Sequence, residues 1–310
     1  MATIQWYPGH MAKAKREVQE RLKLVDIVFE IVDARLPWSS RNPVLDQLIQ
    51  DKPRLLILNK ADLADPNQTQ QWLNYARTTL NIPALAIDSQ HQQNAKQIEQ
   101  LAQQVLADKI ARQREKGIQN KAIKAICIGI PNSGKSTILN RLVKRNVAIT
   151  GNHPGVTKKQ QWLKAGQQLA LLDTPGILWP KFEDPIIGKK LALTGAIKDS
   201  LYHADDVALY ALAFFKQYFP DRLVQRYHVT TADLAQPLPD LLLQITQKLG
   251  FRDDYDRASE RIIIDCRKGK LGRFTLDHVQ EVADDTLDDE GVTRTISPGA
   301  NTCIFGYVSG

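Results

Sequence analysis

A chain of 310 residues, 43% hydrophobic and 24% charged, can bury an ordinary core and has the length of one large domain or two ordinary ones. Its apolar runs are strand-sized and none nears the roughly 20 residues that span a bilayer; "MATIQWYPGH" lacks the apolar centre of a signal peptide, so neither a membrane protein nor an exported one is expected, and the reading is cytoplasmic. The net charge of +7 suits a polyanionic partner such as RNA without requiring one.

Residues 11–24 are rich in helix formers and read as a basic amphipathic helix. "DIVFEIVDA", Asp26 to Ala34, reads as a buried strand, "RLPWSSRNP" as a loop, Val44–Gln50 as a helix and Arg54–Leu58 as a second buried strand. "QQWLNYARTTL" has helical spacing, Pro83–Asp88 is a third short strand, and Gln93–Lys116 reads as one long polar helix. Lys121–Ile130 is a fourth strand running into a Gly-rich turn, a helix follows from Lys135 to about Lys144, and "LALLDTPG" ends another strand. Strands alternating with helices imply a mostly parallel sheet with helices on both faces. Residues 186–250 read almost wholly as helices, with breaks near Pro220 and Pro237. The expected division is a nucleotide domain over 1–184, which includes the basic segment 1–24, a mainly helical RNA-binding domain over 185–279, and an acidic tail of no assigned role over 280–310. The basic runs Lys13–Arg16, Arg141–Arg145 and Lys158-Lys159 each read singly as solvated faces. Cys127, Cys266 and Cys303 form no CxxC pair, which argues against a zinc ribbon or redox motif and leaves buried free thiols as the expectation.

"GIPNSGKS", Gly129 to Ser136, fits GxxxxGK[ST] in full and lies between a strand and a helix, where a phosphate loop belongs. Gly129, Asn132, Ser133, Gly134 and Thr137 are expected around the phosphates, where backbone N–H groups at a helix start face an anion. Lys135 can reach the β- and γ-phosphates, and the Ser136 hydroxyl can bind Mg²⁺. Asp173 has the place of a carboxylate that holds Mg²⁺ through water, and the Gly176 N–H that of a γ-phosphate contact. Thr157, in the Gly/Pro loop "TGNHPGVTKKQ", is the candidate switch residue for Mg²⁺ and the γ-phosphate.

Asn59-Lys60-Ala61-Asp62 ends the second strand and matches the guanine-reading NKxD element. Asp62 can accept from the guanine N1–H and 2-amino groups, whereas adenine lacks that donor pair and would leave the carboxylate unpaired. Asn59 would contact the base or tie its loop to the phosphate loop, the Lys60 stem can cover the ring face, and Ser89 in "IDSQ" is the candidate base support. The order is therefore base reader, base support, phosphate loop, switch threonine, DxxG. That is a P-loop GTPase fold cut after DxxG and rejoined, a circular permutation, followed by the mainly helical domain.

"WYPGHMAKAKRE", "DARLPWSSRNP", "GIPNSGKST", "PGVTKKQQW" and "LLDTPGILWPKFED" together resemble the bacterial ribosome biogenesis GTPase A family, also called YlqF, over roughly residues 4 to 275. The resemblance implies a cytoplasmic GTPase using GTP/GDP and Mg²⁺, acting late in assembly of the large ribosomal subunit, contacting 23S rRNA and ribosomal proteins, and stimulated by the ribosomal particle. A monomer is expected. Ile177 stands where many GTPases carry a water-orienting Gln, and the resemblance points instead to His10; the alternative is a surface or capping His beside a Pro-Gly turn. Asn132 has two readings, a K⁺ ligand near the β- and γ-phosphates, as in related GTPases, or a loop Asn making local turn bonds. Two other functions stay open on sequence alone: an RNA-binding protein gated by GTP with little turnover, and a P-loop ATPase or kinase, which Asn59 and Asp62 argue against.

Overall fold

The apolar runs bounded by Gly, Pro and Asp become strands. In the computed structural model, which describes residues 16–49, 52–89, 95–118, 121–143, 162–165, 168–172 and 184–282, six strands form one sheet. They are β1 (Ile27–Asp33), β2 (Arg54–Asn59), β3 (Ala84–Ile87), β4 (Ile123–Ile128), β5 (Trp162–Ala165) and β6 (Leu169–Leu172), in the order β3-β2-β1-β4-β6-β5. All pairings are parallel except β5 with β6. β1 is buried at every position, as a parallel strand covered on both faces must be. β4, fourth in the chain, lies inside the sheet between β1 and β6. This is the topology that the permuted motif order demands.

Helices α1 (residues 16–22), α2 (Pro43–Ile49), α3 (Pro66–Thr78), α4 (Ala95–Val105), α5 (Ala107–Glu115) and α6 (Lys135–Val143) cover the two faces. α3 starts where Asp65 accepts from the N–H groups of Asn67 and Gln68 and proline occupies the first turn. On one face Ile27, Phe29, Ile31, Leu55 and Ile57 pack with Ile98 and Ile138. On the other, Val28 and Ile126 meet Val18 and Leu22, and Leu56 and Leu58 meet Trp72 and Tyr75.

Two expectations change. The single helix over Gln93–Lys116 is two, because the chain leaves helical geometry at Leu106 (φ −103°, ψ 15°). That bend keeps Leu106 in the sheet core while α5, with no fully buried residue, touches that core through the part-buried Ile110. The antiparallel edge strand β5 was not expected; its four residues alternate exposed and buried over too short a span to carry a period.

Beyond residue 184 come α7 (Pro185–Thr194), α8 (Ala204–Tyr218), α9 (Pro220–Tyr227), α10 (Thr231–Ala235), α11 (Leu238–Lys248) and α12 (Tyr255–Arg267). Their core, built on Leu212, Phe215, Tyr227, Ile262 and Phe274, also takes in Leu36 from the loop after β1 and Ile130 from the loop after β4. After α12 the chain crosses back. Val279 and Val282 pack with Trp72, so the start of the acidic stretch is helical over 279–282 and carries a buried side chain. Cys127 and Cys266 are buried free thiols, as expected, and burial pushes the Cys266 thiol up to about 12; Cys303 lies outside the described residues. Among the described residues no helix is long and apolar enough to cross a membrane.

Phe215 is fully buried where α8 meets Phe219 and Phe274, at ring-centroid distances of 6.1 and 5.2 Å. Phe215→Ala should destabilise the protein by about 3–5 kcal/mol in urea unfolding.

Candidate functional site

Parallel pairing brings strand ends to one edge of the sheet. Asp33 of β1 is in register with Asn59 of β2, which is in register with Ile87 of β3. Ligands of open α/β sheets bind outside such carboxyl ends. β4 ends there too, and the phosphate loop leads from it into α6.

That loop is shaped by close backbone approach. A Cβ on Gly129 would lie 2.2 Å from the Ile31 carbonyl oxygen, and one on Gly134 (φ +93°) 2.1 Å from the Asn59 side-chain nitrogen. Only glycine fits either position. Lys135 Nζ, buried, donates to the Ile130 carbonyl at 2.7 Å. The Ser133 hydroxyl is buried and meets no hydrogen-bond partner among the described residues. Ser136 and Thr137 face the same cavity from the first turn of α6. A buried ammonium and the N–H groups of a helix start fit an oligophosphate.

Asn59 joins this end to the end expected to take the base. Its Nδ2 donates to the Ser133 carbonyl at 2.8 Å, and its Oδ1 accepts from the Ser89 N–H at 3.3 Å. Of the two expected roles for Asn59, the structure displays the tie to the phosphate loop. Asp62, Asp88 and Ser89 line the far end of the cavity, and Arg141 of α6 donates to the Ser89 carbonyl at 3.1 Å. The cavity encloses about 990 Å³, the upper end of the usual range for small-molecule sites.

The sequence assigned no role to Asp33 or Arg35. Asp33, almost fully buried, accepts from Arg35 Nε at 2.9 Å and Nη2 at 2.7 Å, and from Lys60 Nζ at 2.9 Å. Burial pushes the Asp33 carboxyl up, but Arg35 and Lys60 overcome it and hold it well below the usual carboxylate range. Burial also lowers the Lys60 ammonium, against the pull of Asp33. Lys60, with φ 60°, is thus anchored at its tip, and its stem lies along the cavity wall. The signal for this cluster was an Asp-x-Arg at the end of an apolar strand, which becomes informative only when β1 and β2 are paired.

The opposite wall comes from the helical region: Thr194, Gly195, Lys198, Ile264, Arg267 and Lys268. Gly195 ends α7 in the left-handed conformation, and Asn132 Nδ2 donates to its carbonyl. Arg267 clasps the end of α7 by donating to the carbonyls of Ala192 (2.7 Å) and Leu193 (3.2 Å). Of the residues singled out from sequence, Asn59, Lys60, Asp62, Ser89, Asn132, Gly134, Lys135, Ser136 and Thr137 line this cavity, while Gly129 and Ser133 belong to the loop without lining it. His10, Thr157, Asp173 and Gly176 lie outside the described residues.

Comparisons with known proteins agree with this geometry. A family model described as a 50S ribosome-binding GTPase matches residues 124–234. The chain is 49% identical over 289 residues to the Priestia megaterium protein called ribosome biogenesis GTPase A, covering 90% of this chain and 98% of that one. It is 33% identical over 294 residues to the Xenopus tropicalis protein called mitochondrial ribosome-associated GTPase 1, covering 88% and 94%. Among solved structures, GNP-bound YlqF from T. maritima superposes with a TM-score of 0.59 at 23% identity, over 86% of this chain and 98% of that one. A GDP-bound YlqF gives 0.57 at 21% identity, over 86% and 100%. At these identities the superpositions speak to the fold alone.

Asp33→Asn leaves Arg35 and Lys60 together with no anion between them. Removing one partner of a buried pair costs about 3–5 kcal/mol; Lys60 keeps some solvent contact, so about 3 kcal/mol is expected in urea unfolding. The depressed pKa of Asp33 adds stability that is whole above the ordinary value of 3.8 and is lost as pH falls below it. Asp33→Asn should remove that part of the acid-induced loss, read as the difference between the two stability–pH curves below pH 4.

Proposed function

Because the chain belongs to the ribosome biogenesis GTPase A family, we propose that its GTP hydrolysis serves as a switch in assembly of the large (50S) ribosomal subunit, with nucleotide-dependent binding to 23S rRNA and the precursor particle. The observation that carries the reading is the seam between the phosphate loop and the helical region. Ile130, 1% exposed, is packed in the helical core, and Asn132 donates to Gly195 at the end of α7. A phosphate loop held this way cannot adjust to its ligand without pressing on the helices, and packed cores respond by discrete shifts. In this reading the helical region offers its surface to rRNA and ribosomal proteins, and the chain works as a cytoplasmic monomer.

At the nucleotide, Lys135 and the N–H groups of residues 132–137 bind and orient the phosphates, while Lys60, Asp62 and Ser89 bind guanine and Asn59 ties their loops to the phosphate loop. Mg²⁺ held with a nucleotide keeps several waters and needs only one or two protein ligands. Ser136 suits the direct one, with Thr157 as the second and Asp173 acting through water; the ion would supply neutralisation of the phosphate charge. Gly176 is assigned the γ-phosphate contact and His10 the positioning of the attacking water. With its amide nitrogen on Gly195, Asn132 has its oxygen as the atom to offer K⁺.

Single-turnover GTPase rates with mature and immature large subunits test the proposal. Stimulation is expected, stronger with the immature particle; a rate indifferent to both would refute a role on that subunit. His10→Ala should lower kcat by about a hundredfold, typical of lost acid–base assistance, with GTP affinity nearly unchanged. Equal loss of both would end that assignment, and equal rates in K⁺ and Na⁺ buffers would end the one for Asn132.

A further inference from the structure

The carboxylate assigned to guanine sits on a loop, Ala61 to Asp65, that the nucleotide domain supports on one side only. Asn59 and the Ala61 N–H, which donates to the Ile87 carbonyl at 3.1 Å, fix its inner side. Its outer side is held by the segment that follows α12. Arg273 Nε donates to the Asp62 carbonyl at 2.9 Å and its Nη2 to the Ala61 carbonyl at 3.2 Å. The Phe274 N–H donates to the Leu63 carbonyl at 3.1 Å, and Thr275 Oγ1 accepts from the Asp65 N–H at 3.2 Å. Three successive carbonyls of the loop are thus taken by two neighbouring residues from the far end of the chain. The contact is tight as well: a Cβ on Gly269 would sit 3.0 Å from Leu63 Cδ2.

This strap is itself fixed at both ends. Upstream it continues α12. Downstream, the buried Asp277 carboxylate accepts from the N–H groups of Trp38 (2.9 Å) and Ser39 (2.7 Å), from Ser39 Oγ (2.7 Å) and from Lys190 Nζ (2.8 Å). A guanidinium fork on two adjacent carbonyls sets the peptide that carries Asp62 Cα in a way a single donor cannot. Reading two donors on one base edge requires placement within about 0.5 Å.

We propose that Arg273 is a positioning residue for guanine recognition, acting through the backbone of Asp62 from the segment that follows the helical region. The proposal rests on the reading of Asp62 as the base-contacting carboxylate. It makes base discrimination depend on the docking of the strap, and so ties the helical region to the base end of the nucleotide as well as to its phosphate end.

The test compares GDP with IDP, whose base lacks the 2-amino group. Arg273→Ala should weaken GDP by about tenfold, the scale of losing one to two hydrogen bonds. It should weaken IDP less, so that the GDP/IDP preference shrinks. Arg273 is exposed, and the melting temperature should stay near that of the parent. Arg273→Lys, with one ammonium, should fall between the two. An unchanged GDP/IDP ratio in Arg273→Ala, whether both affinities drop together or neither does, overturns the proposal. Asp62→Asn is the control: its amide should turn preference toward XDP, whose base has a carbonyl at that carbon. If that turn occurs and Arg273→Ala leaves the ratio intact, only the role of Arg273 is lost. If Asp62→Asn makes no difference to preference, the base-site reading falls and the proposal with it.

Discussion

One buried amide sets the length of the site. Asn59 spans from the Ser133 carbonyl to the Ser89 N–H, and so fixes the phosphate loop against the loop after β3. Gly134, with no Cβ, leaves room for that amide. Each bond alone contributes about 1 kcal/mol net, and leaving either buried partner unsatisfied costs about 1–3 kcal/mol.

Around that bridge the boundary between nucleotide domain and helical region is not a linker but a shared interior. Ile130 and Leu36 belong to the helical core, and Arg35 is buried between the Asp33 carboxylate and the Phe274 ring. The buried ion pair is poor evidence of added stability, since desolvation offsets much of its attraction. Its use is geometric: the Asp33 carboxylate holds the Lys60 side chain and the Arg35 fork at once, on adjacent strand ends. A site built this way is stiff at both ends and is walled by helices on its open side.

The fold was legible where chemistry constrains local sequence. The glycines and Lys135 of the phosphate loop, and Asn59 and Asp62 at the end of β2, announce themselves because phosphate and guanine accept few substitutes at fixed spacing. The strand–helix alternation and the helical C-terminal region followed from periodicity. What stayed hidden was non-local. Asp33 acquires its partners only through the register with Asn59, and the basic run from Arg267 to Arg273 reads like any solvated stretch until Arg273 is seen on two loop carbonyls. The break at Leu106 was masked by a composition that is polar on either side of it.

The late position of β4 also bears on how the chain is made. β1, β2 and β3 leave the ribosome first, yet the partner for the inner edge of β1 is β4, about 90 residues further on. At roughly 5–20 residues per second, that edge stays open for some seconds on a mostly apolar strand. Unpaired apolar edges are templates for mispairing. Nascent copies of this chain therefore pass through a half-sheet whose inner edge is open to other strands, an exposure absent from the finished molecule.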